Sequence, residues 1–164
     1  MTTGKRFTKI FALVCTFAVF ALVLAGCSTQ SSDQEKQQQA NRDYMTQMSQ
    51  KMDELNSRLE TFNEAVSNND VVAMQTQADN AYKIIDEAEK LEAPSALSDI
   101  ANNYNEGLSS LRKALDAYID LYTEINSGSF DWDTYDSRLS DVQKLYDDGI
   151  SKLEEADKAA SEAK

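Results

Sequence analysis

The chain has 164 residues, with 16 lysines and arginines, 28 aspartates and glutamates and no histidine, so its formal charge is −12. This length allows one ordinary domain. The absence of histidine excludes histidine-ligated haem, histidine-based zinc sites and Ser-His-Asp triads. The acidity excludes a nucleic-acid binder, which needs a basic face to displace counterions from phosphates.

The first 26 residues have the pattern of a secretion signal. Lys5, Arg6 and Lys9 come before a nearly continuous apolar stretch from residue 10 to residue 24. A positively charged start followed by a short apolar run is typical of a signal peptide. The run is shorter than the roughly 20 residues that a permanent membrane-spanning helix needs. We therefore predict that residues 1–26 are a signal peptide.

The residues at the end of this signal, Leu24-Ala25-Gly26-Cys27, resemble the lipobox of bacterial lipoproteins that signal peptidase II cleaves. The resemblance covers residues 1–28 and implies that Cys27 carries diacylglycerol, with acyl chains such as palmitate, and becomes the mature N-terminus. It implies nothing about the fold or activity of the later residues. The alternative is an uncleaved N-terminal anchor helix that has a cysteine at its end.

Lipidation of Cys27 predicts an exported protein on the outer face of a bacterial cell membrane, with a Gram-positive cell favoured. Two acyl chains anchor a protein stably where one would bind reversibly. Cys15 leaves with the signal and Cys27 is consumed by the lipid, so no thiol remains for a disulfide or a nucleophile. The mature chain keeps 13 basic and 28 acidic residues, a charge of −15, which we expect to keep the domain off an anionic membrane.

A polar tether is predicted to follow the lipidated cysteine, over residues 27–41. Between Ser28 and Asn41 the only apolar residue is one alanine. Burial therefore cannot offset the entropy lost on ordering this segment. We expect its first half to be flexible, whereas its glutamine-rich second half can continue a following helix.

Residues 42–164 contain four segments whose apolar residues recur at helical spacing. These stripes extend from Met45 to Val66, from Val71 to Leu91, from Leu97 to Ile125 and from Tyr135 to Leu153. Short polar connections favour antiparallel neighbours. The sequence therefore predicts an all-α domain, an antiparallel up-down four-helix bundle with coiled-coil-like stripes. The alternative is a three-helix arrangement with a kink at Pro94.

Capping and turn residues mark the predicted helix boundaries. Asp70 is placed to cap the second helix, and Pro94 interrupts the pattern that follows it. Gly128 predicts the end of the third helix. Before the fourth helix, Asp131 is placed as an N-cap, and Phe130 directly before it is placed to form a hydrophobic staple with the first turn.

Two further features of the helices carry predictions about packing and binding. Gly107 and Gly149 lie inside predicted helices, which indicates a close helix crossing. Aromatic residues fall on or beside the third and fourth stripes, and they are a candidate groove for an apolar ligand, peptide or glycan. The groove residues are Tyr118, Tyr122, Trp132, Tyr135 and Tyr146. The alternative places these rings in the core edge, with their hydroxyl groups reaching water.

No motif for catalysis, a cofactor or a metal is found in the sequence. The acidic stretch from Asp131 to Asp136 suggests a calcium loop, but Tyr135, Asp136 and Val142 occupy the positions where an EF-hand needs an oxygen ligand, glycine and glutamate. These acids are instead typical of a helix N-terminus. The other paired carboxylates are interpreted as surface charges, so we expect no enzyme.

The function expected from the sequence is that of a membrane-anchored lipoprotein whose acidic helical domain acts in protein interaction or envelope structure. Its expected partners are the membrane, through Cys27, and a basic or envelope protein, but no nucleic acid. The alternative is a carrier of a small ligand or peptide that uses the aromatic groove. An open pocket at the tyrosines would favour the carrier, and an exposed apolar or single-sign patch would favour the interaction module. Partner identity and oligomeric state are not fixed by the sequence.

Overall fold

The computed structural model describes residues 32–162, which form four α-helices. These are α1 (Ser32–Ser67), α2 (Val71–Glu89), α3 (Ser98–Ser127) and α4 (Tyr135–Glu162), with single 3₁₀ turns at Ser95–Leu97 and Trp132–Thr134. The predicted signal peptide, the lipobox with Cys27 and the first part of the tether lie outside the described residues. Within the described range, no helix is both long enough and apolar enough to cross a membrane.

The four helices pack as an up-down bundle, which confirms the predicted fold class. The contact between α3 and α4 is the most extensive, that between α1 and α2 is next, and that between α2 and α3 is smaller. The bundle is therefore made of two tight hairpins. The three-helix alternative is wrong, because α2 ends at Glu89 and α3 begins at Ser98, with Pro94 in extended conformation between them.

The helix boundaries follow from the predicted capping residues. The Asp70 carboxylate accepts a hydrogen bond from the Ala73 N–H at 3.0 Å, after Asn69 turns the chain through the left-handed region at φ 54°. Gly128 ends α3 with φ 76°. The Asp131 carboxylate accepts from the Asp133 N–H at 3.0 Å and starts the 3₁₀ turn before α4. Side-chain and glycine caps thus satisfy backbone groups that a helix end leaves unpaired.

Helix α1 begins well before the packed domain does. It starts at Ser32, within the segment predicted as tether, and the side chains from 33 to 40 are all exposed. The first buried side chain along α1 is that of Tyr44. Local pairs support the exposed turns, such as the Arg42 guanidinium donating to Gln39 Oε1 at 2.8 Å. The glutamine-rich half of the tether is therefore helical.

The core contains apolar side chains from all four helices. Met48, Ile85, Leu108 and Tyr118 have no exposed surface. Between residues 33 and 162 no charged side chain is buried. The core is thus closed by packing and by the hydrophobic effect rather than by internal ion pairs.

Gly107 of α3 and Gly149 of α4 lie opposite each other where the two helices cross most closely. A Cβ added at Gly107 would lie 2.8 Å from Leu153 Cγ and 3.0 Å from the Gly149 carbonyl oxygen. A Cβ added at Gly149 would lie 3.0 Å from Leu111 Cγ and 3.1 Å from the Gly107 carbonyl oxygen. The missing side chains therefore let the two backbones touch, which confirms the predicted close crossing.

Replacing Gly107 with alanine should destabilise the protein. At an ordinary helix position the change stabilises by about 1 kcal/mol, because alanine is the better helix former. At this crossing the new methyl group overpacks against Leu153 and Gly149, and we expect a net loss of about 1–3 kcal/mol in the free energy of unfolding. Chemical denaturation followed by circular dichroism measures the change.

The double variant with Leu153→Ala is the control for this prediction. Removing the clashing side chain should reduce the cost of Gly107→Ala, a coupling that a double-mutant cycle measures. A Gly107→Ala protein as stable as the wild type would contradict the close crossing.

Candidate functional site

The five residues of the predicted aromatic groove divide into a buried group and a more exposed group. Tyr118, Tyr122 and Tyr146 are buried, Tyr135 is half-buried, and Trp132 is 58% exposed. A ligand would have to displace packed side chains to reach the rings of the buried group. The structure brings Trp132 and Tyr135 together but packs the other three into the core. A carrier function that uses these residues stays a prediction.

The buried tyrosines join the two hairpins to each other. The Phe62 ring of α1 meets the Tyr118 ring of α3 edge-on, with 5.7 Å between their centroids. Tyr118 stacks on Tyr122 at 6.5 Å. The Tyr122 O–H donates a hydrogen bond to Asn69 Oδ1 at 3.0 Å, which ties the end of α3 to the turn between α1 and α2. These contacts give Tyr118 and Tyr122 a structural role.

Phe130, Trp132 and Tyr135 form a cluster of three rings at the start of α4. Phe130 precedes the capping Asp131 and packs edge-on against Tyr135 at 6.3 Å, which is the contact of a hydrophobic staple. Trp132 lies 5.3 Å from Phe130 and 5.9 Å from Tyr135, measured between ring centroids. The indole is therefore supported on two rings although more than half of it is exposed.

This cluster is also fixed to α3 by an arginine. The guanidinium of Arg138 lies over the Phe130 ring at 6.0 Å and pairs with the Glu124 carboxylate of α3. A cation over an aromatic face is attracted by the ring quadrupole. The position of Trp132 thus follows from the cap, the staple and one ion pair between helices.

The aromatic cluster and the α1–α2 turn lie at the same end of the bundle, the end away from the start of α1. The up-down order requires this placement, and the Tyr122–Asn69 hydrogen bond joins the last part of α3 to the α1–α2 turn. We call residues 68–72 and 128–136 the distal tip. It contains two large apolar side chains that are strongly exposed, Val72 at 74% and Trp132 at 58%.

Charge is distributed unevenly between the two halves of the bundle. Residues 59–82 and 114–143, which we call the acidic half, contain eleven acidic residues and one basic residue, Arg138. All eleven acidic side chains are exposed. The remaining positions from 32 to 164 contain 17 acidic and 12 basic residues. The acidic half includes the distal tip, so the tip lies in a field of one sign.

Three basic residues of the opposite half form ion pairs between helices. Lys51 of α1 pairs with Glu87 of α2 at 2.8 Å, Arg112 of α3 pairs with Asp86 of α2, and Lys152 of α4 lies 3.4 Å from a carboxylate of α3. These pairs also fix which residues lie at the same height along the bundle. The charge asymmetry is not evident from the sequence, because the two acidic stretches become neighbours only once the helices are aligned.

Two tyrosine–aspartate hydrogen bonds join neighbouring helices. The Tyr104 O–H donates to the Asp157 carboxylate, and the Tyr82 O–H donates to Asp116. Burial first, then the nearby carboxylate, raises the pKa of both tyrosines far above the usual range. Burial also raises the pKa of Asp157. At neutral pH each phenol is therefore protonated and can donate its hydrogen bond to the carboxylate of the other helix.

A shallow polar groove of about 690 Å³ lies between α3 and α4, beside the glycine crossing. Asn105, Glu106, Ser109, Ser151 and Lys152 are among the residues that line it. None of the five predicted groove residues lies in its wall. In residues 32–162, no group of three or more cysteine, aspartate or glutamate side chains could hold a metal ion.

Comparison with known proteins leaves the chain without an assigned family. No protein-family model matches it, and no curated protein or solved structure matches it. The lipobox resemblance concerns residues 1–28 alone. Any function of the bundle must therefore be argued from the residues of this chain.

Raising the pH above about 10 should destabilise the bundle. Burial raises the pKa of Tyr104 and Tyr118 above the ordinary value of 10.0, so these phenols stay protonated when the unfolded chain loses their protons. The contribution of these protonated phenols to the free energy of unfolding is complete below about pH 10 and is lost as the pH rises further. We expect the free energy of unfolding to fall by up to about 1.4 kcal/mol per pH unit for each tyrosine.

Chemical denaturation from about pH 9 upward tests this dependence. Tyr118→Phe should give a shallower fall with pH than the wild type, because it removes one of the buried phenols. Phe62→Leu is the matched control, since it disturbs the packing on Tyr118 without removing a titrating group and should keep the wild-type slope. Equal slopes in wild type and Tyr118→Phe would contradict the assignment.

Proposed function

We propose that the protein is an extracytoplasmic lipoprotein, anchored through Cys27, whose helical domain binds a protein of the cell envelope and catalyses no reaction. The anchor is supported by the positive start, the short apolar run and the Leu24-Ala25-Gly26-Cys27 sequence. We place the anchored domain on the outer face of a bacterial cell membrane and favour a Gram-positive bacterium as the host.

The observation that carries the binding role is the exposed indole of the aromatic cluster at the distal tip. Trp132 is the only tryptophan of the chain, and it is 58% exposed while Phe130 and Tyr135 hold it. Tryptophan is enriched among the residues that dominate protein–protein binding energy. The cap and staple fix the backbone here before any partner binds, so little entropy remains to be lost on binding.

The direction of α1 supports a role for the tip in binding a partner beyond the membrane surface. Four residues separate Cys27 from Ser32, where α1 begins. A helix of 36 residues is about 54 Å long at 1.5 Å per residue. A lipid at Cys27 therefore lies near the start of α1, and the distal tip lies at the far end of the molecule.

Replacing Cys27 with alanine tests the anchor. We expect the wild-type protein to incorporate a labelled fatty acid and to sediment with membranes, whereas Cys27→Ala should be unlabelled and remain an uncleaved precursor or be released. Metabolic labelling and fractionation of cells measure both outcomes. Cys15→Ala is the matched control, since that cysteine lies within the apolar run and should be dispensable. Labelling of Cys27→Ala at the wild-type level would refute the lipobox.

Crosslinking on intact cells tests the binding role. We expect the anchored protein to form a crosslink with a defined envelope protein, identified by mass spectrometry, and the yield to drop when Cys27→Ala releases the domain from the membrane. Anchoring holds the domain and its partner at high effective concentration, which is why release should weaken the contact. A correctly anchored protein without any protein crosslink would contradict the binding role.

A further inference from the structure

We propose that the distal tip is the docking surface for a lysine- and arginine-rich segment of the partner protein, with Trp132 as its central contact. This inference rests on the proposed binding function and adds the place and chemistry of the contact. It depends on three properties of the described residues. These are an exposed indole held in place, a surrounding surface that is predominantly negative, and the pairing of the one base of the acidic half, Arg138, with Glu124.

The exposed indole gives the segment a specific contact. The Trp132 ring packs against Phe130 and Tyr135, and 58% of the residue's surface remains exposed to solvent. An indole face attracts ammonium and guanidinium groups more strongly than the other aromatic side chains do. The alkyl stems of lysine and arginine also pack on an aromatic surface while their charged ends remain in water. Val72 offers a second apolar contact on the same tip.

The charge around the indole selects a basic partner. Asp133 and Asp136 follow Trp132 within four residues and are both exposed, and the acidic half holds eleven acids against one base. That base, Arg138, is already paired with Glu124 and stacked over Phe130. The acids at the tip therefore have no competing lysine or arginine in the acidic half. Such a surface speeds encounter with a positive segment and repels negative ones.

The spread of the charge favours a polypeptide segment over other occupants. The eleven acids are distributed over four helices and two turns, which matches a row of positive side chains rather than one small cation. A second copy of this chain would bring an equally acidic tip, and like charges oppose that contact. An anionic lipid surface is opposed for the same reason.

The test uses the full-length lipoprotein in a non-ionic detergent and a fluorescein-labelled peptide of alternating lysine and alanine. We expect binding that weakens steeply with salt, while a peptide of alternating glutamate and alanine should not bind. Because the chain has one tryptophan, a change of its fluorescence on adding unlabelled peptide reports contact at Trp132 directly. An unchanged tryptophan signal with a bound peptide would place binding elsewhere and overturn the proposal.

Two charge variants separate a specific surface from attraction by net charge. Asp133→Asn with Asp136→Asn should weaken peptide binding about tenfold, since both acids are exposed on the distal tip within four residues of Trp132. Asp147→Asn with Asp148→Asn removes the same charge from exposed positions of α4 in the opposite half and should change affinity by less than about twofold. Equal weakening by the two pairs would overturn the proposal.

Variants of the indole test its contact. Trp132→Ala should weaken peptide binding about tenfold while the far-ultraviolet melting curve changes little, and Trp132→Phe should restore part of the affinity. Wild-type affinity in Trp132→Ala would overturn the proposal.

A photo-crosslinker placed in the anchored protein on intact cells distinguishes failure of this inference from failure of the proposed function. Position 132 lies at the tip, whereas Ser151 is an exposed residue of α4 in the opposite half. Crosslinks to an envelope protein from position 132 but not from 151 support the tip. Crosslinks from 151 alone overturn the tip but leave the binding function standing, and crosslinks from neither position count against both.

Discussion

The contact between the backbones of Gly107 and Gly149 sets the geometry on which the rest of the bundle depends. Each glycine occupies a place where a methyl group would meet a leucine and the carbonyl oxygen of the other glycine. Helices whose backbones are this close cannot slide past each other easily, because the protein interior is close-packed and any shift would create steric clashes. The crossing therefore fixes the register of α3 against α4, and with it every pair that the two helices make.

The consequences of this register reach both ends of the hairpin. Below the crossing, the phenol of Tyr104 meets Asp157. Above it, Glu124 meets Arg138, which lies over the Phe130 ring. The α1–α2 hairpin has less extensive backbone contact with this one, and the Phe62–Tyr118 ring contact packs between the two hairpins. Close packing thus positions α4, and aromatic packing then fixes the other hairpin against it.

The sequence predicted the fold well because the determinants of the fold are local. Stripe spacing gave the four helices, and Asp70, Gly128 and Asp131 gave their boundaries through hydrogen bonds and backbone angles that involve only neighbours. The glycine crossing was also predictable, since a glycine inside a helix needs a packing reason. The start of α1 was predicted less accurately, because a polar segment can be helical when it continues a helix that is packed in the core.

The candidate site could be predicted only in part, because it depends on how distant segments are aligned. Trp132 and Tyr135 were named from their positions, but Tyr118, Tyr122 and Tyr146 lie on the same stripes and differ only in what covers them. Periodicity places a residue on a helix side and gives no measure of its final exposure. Val72 and the charge asymmetry needed the bundle itself, since residues 59–82 and 114–143 are separate in sequence and adjacent in space.

The charge asymmetry changes the physical role that the acidity of the chain can have. Net charge alone suggests that the whole domain is repelled by an anionic membrane. Screening limits such repulsion to about 8 Å at physiological salt, whereas α1 alone is about 54 Å long. With Cys27 as the proposed anchor, an upright bundle holds its acidic half beyond the range of the membrane charge. A bundle lying flat would bring the acidic half within that range and be repelled. Charge placed far from the anchor therefore favours an upright domain, and it leaves the distal tip open to a partner rather than to lipid.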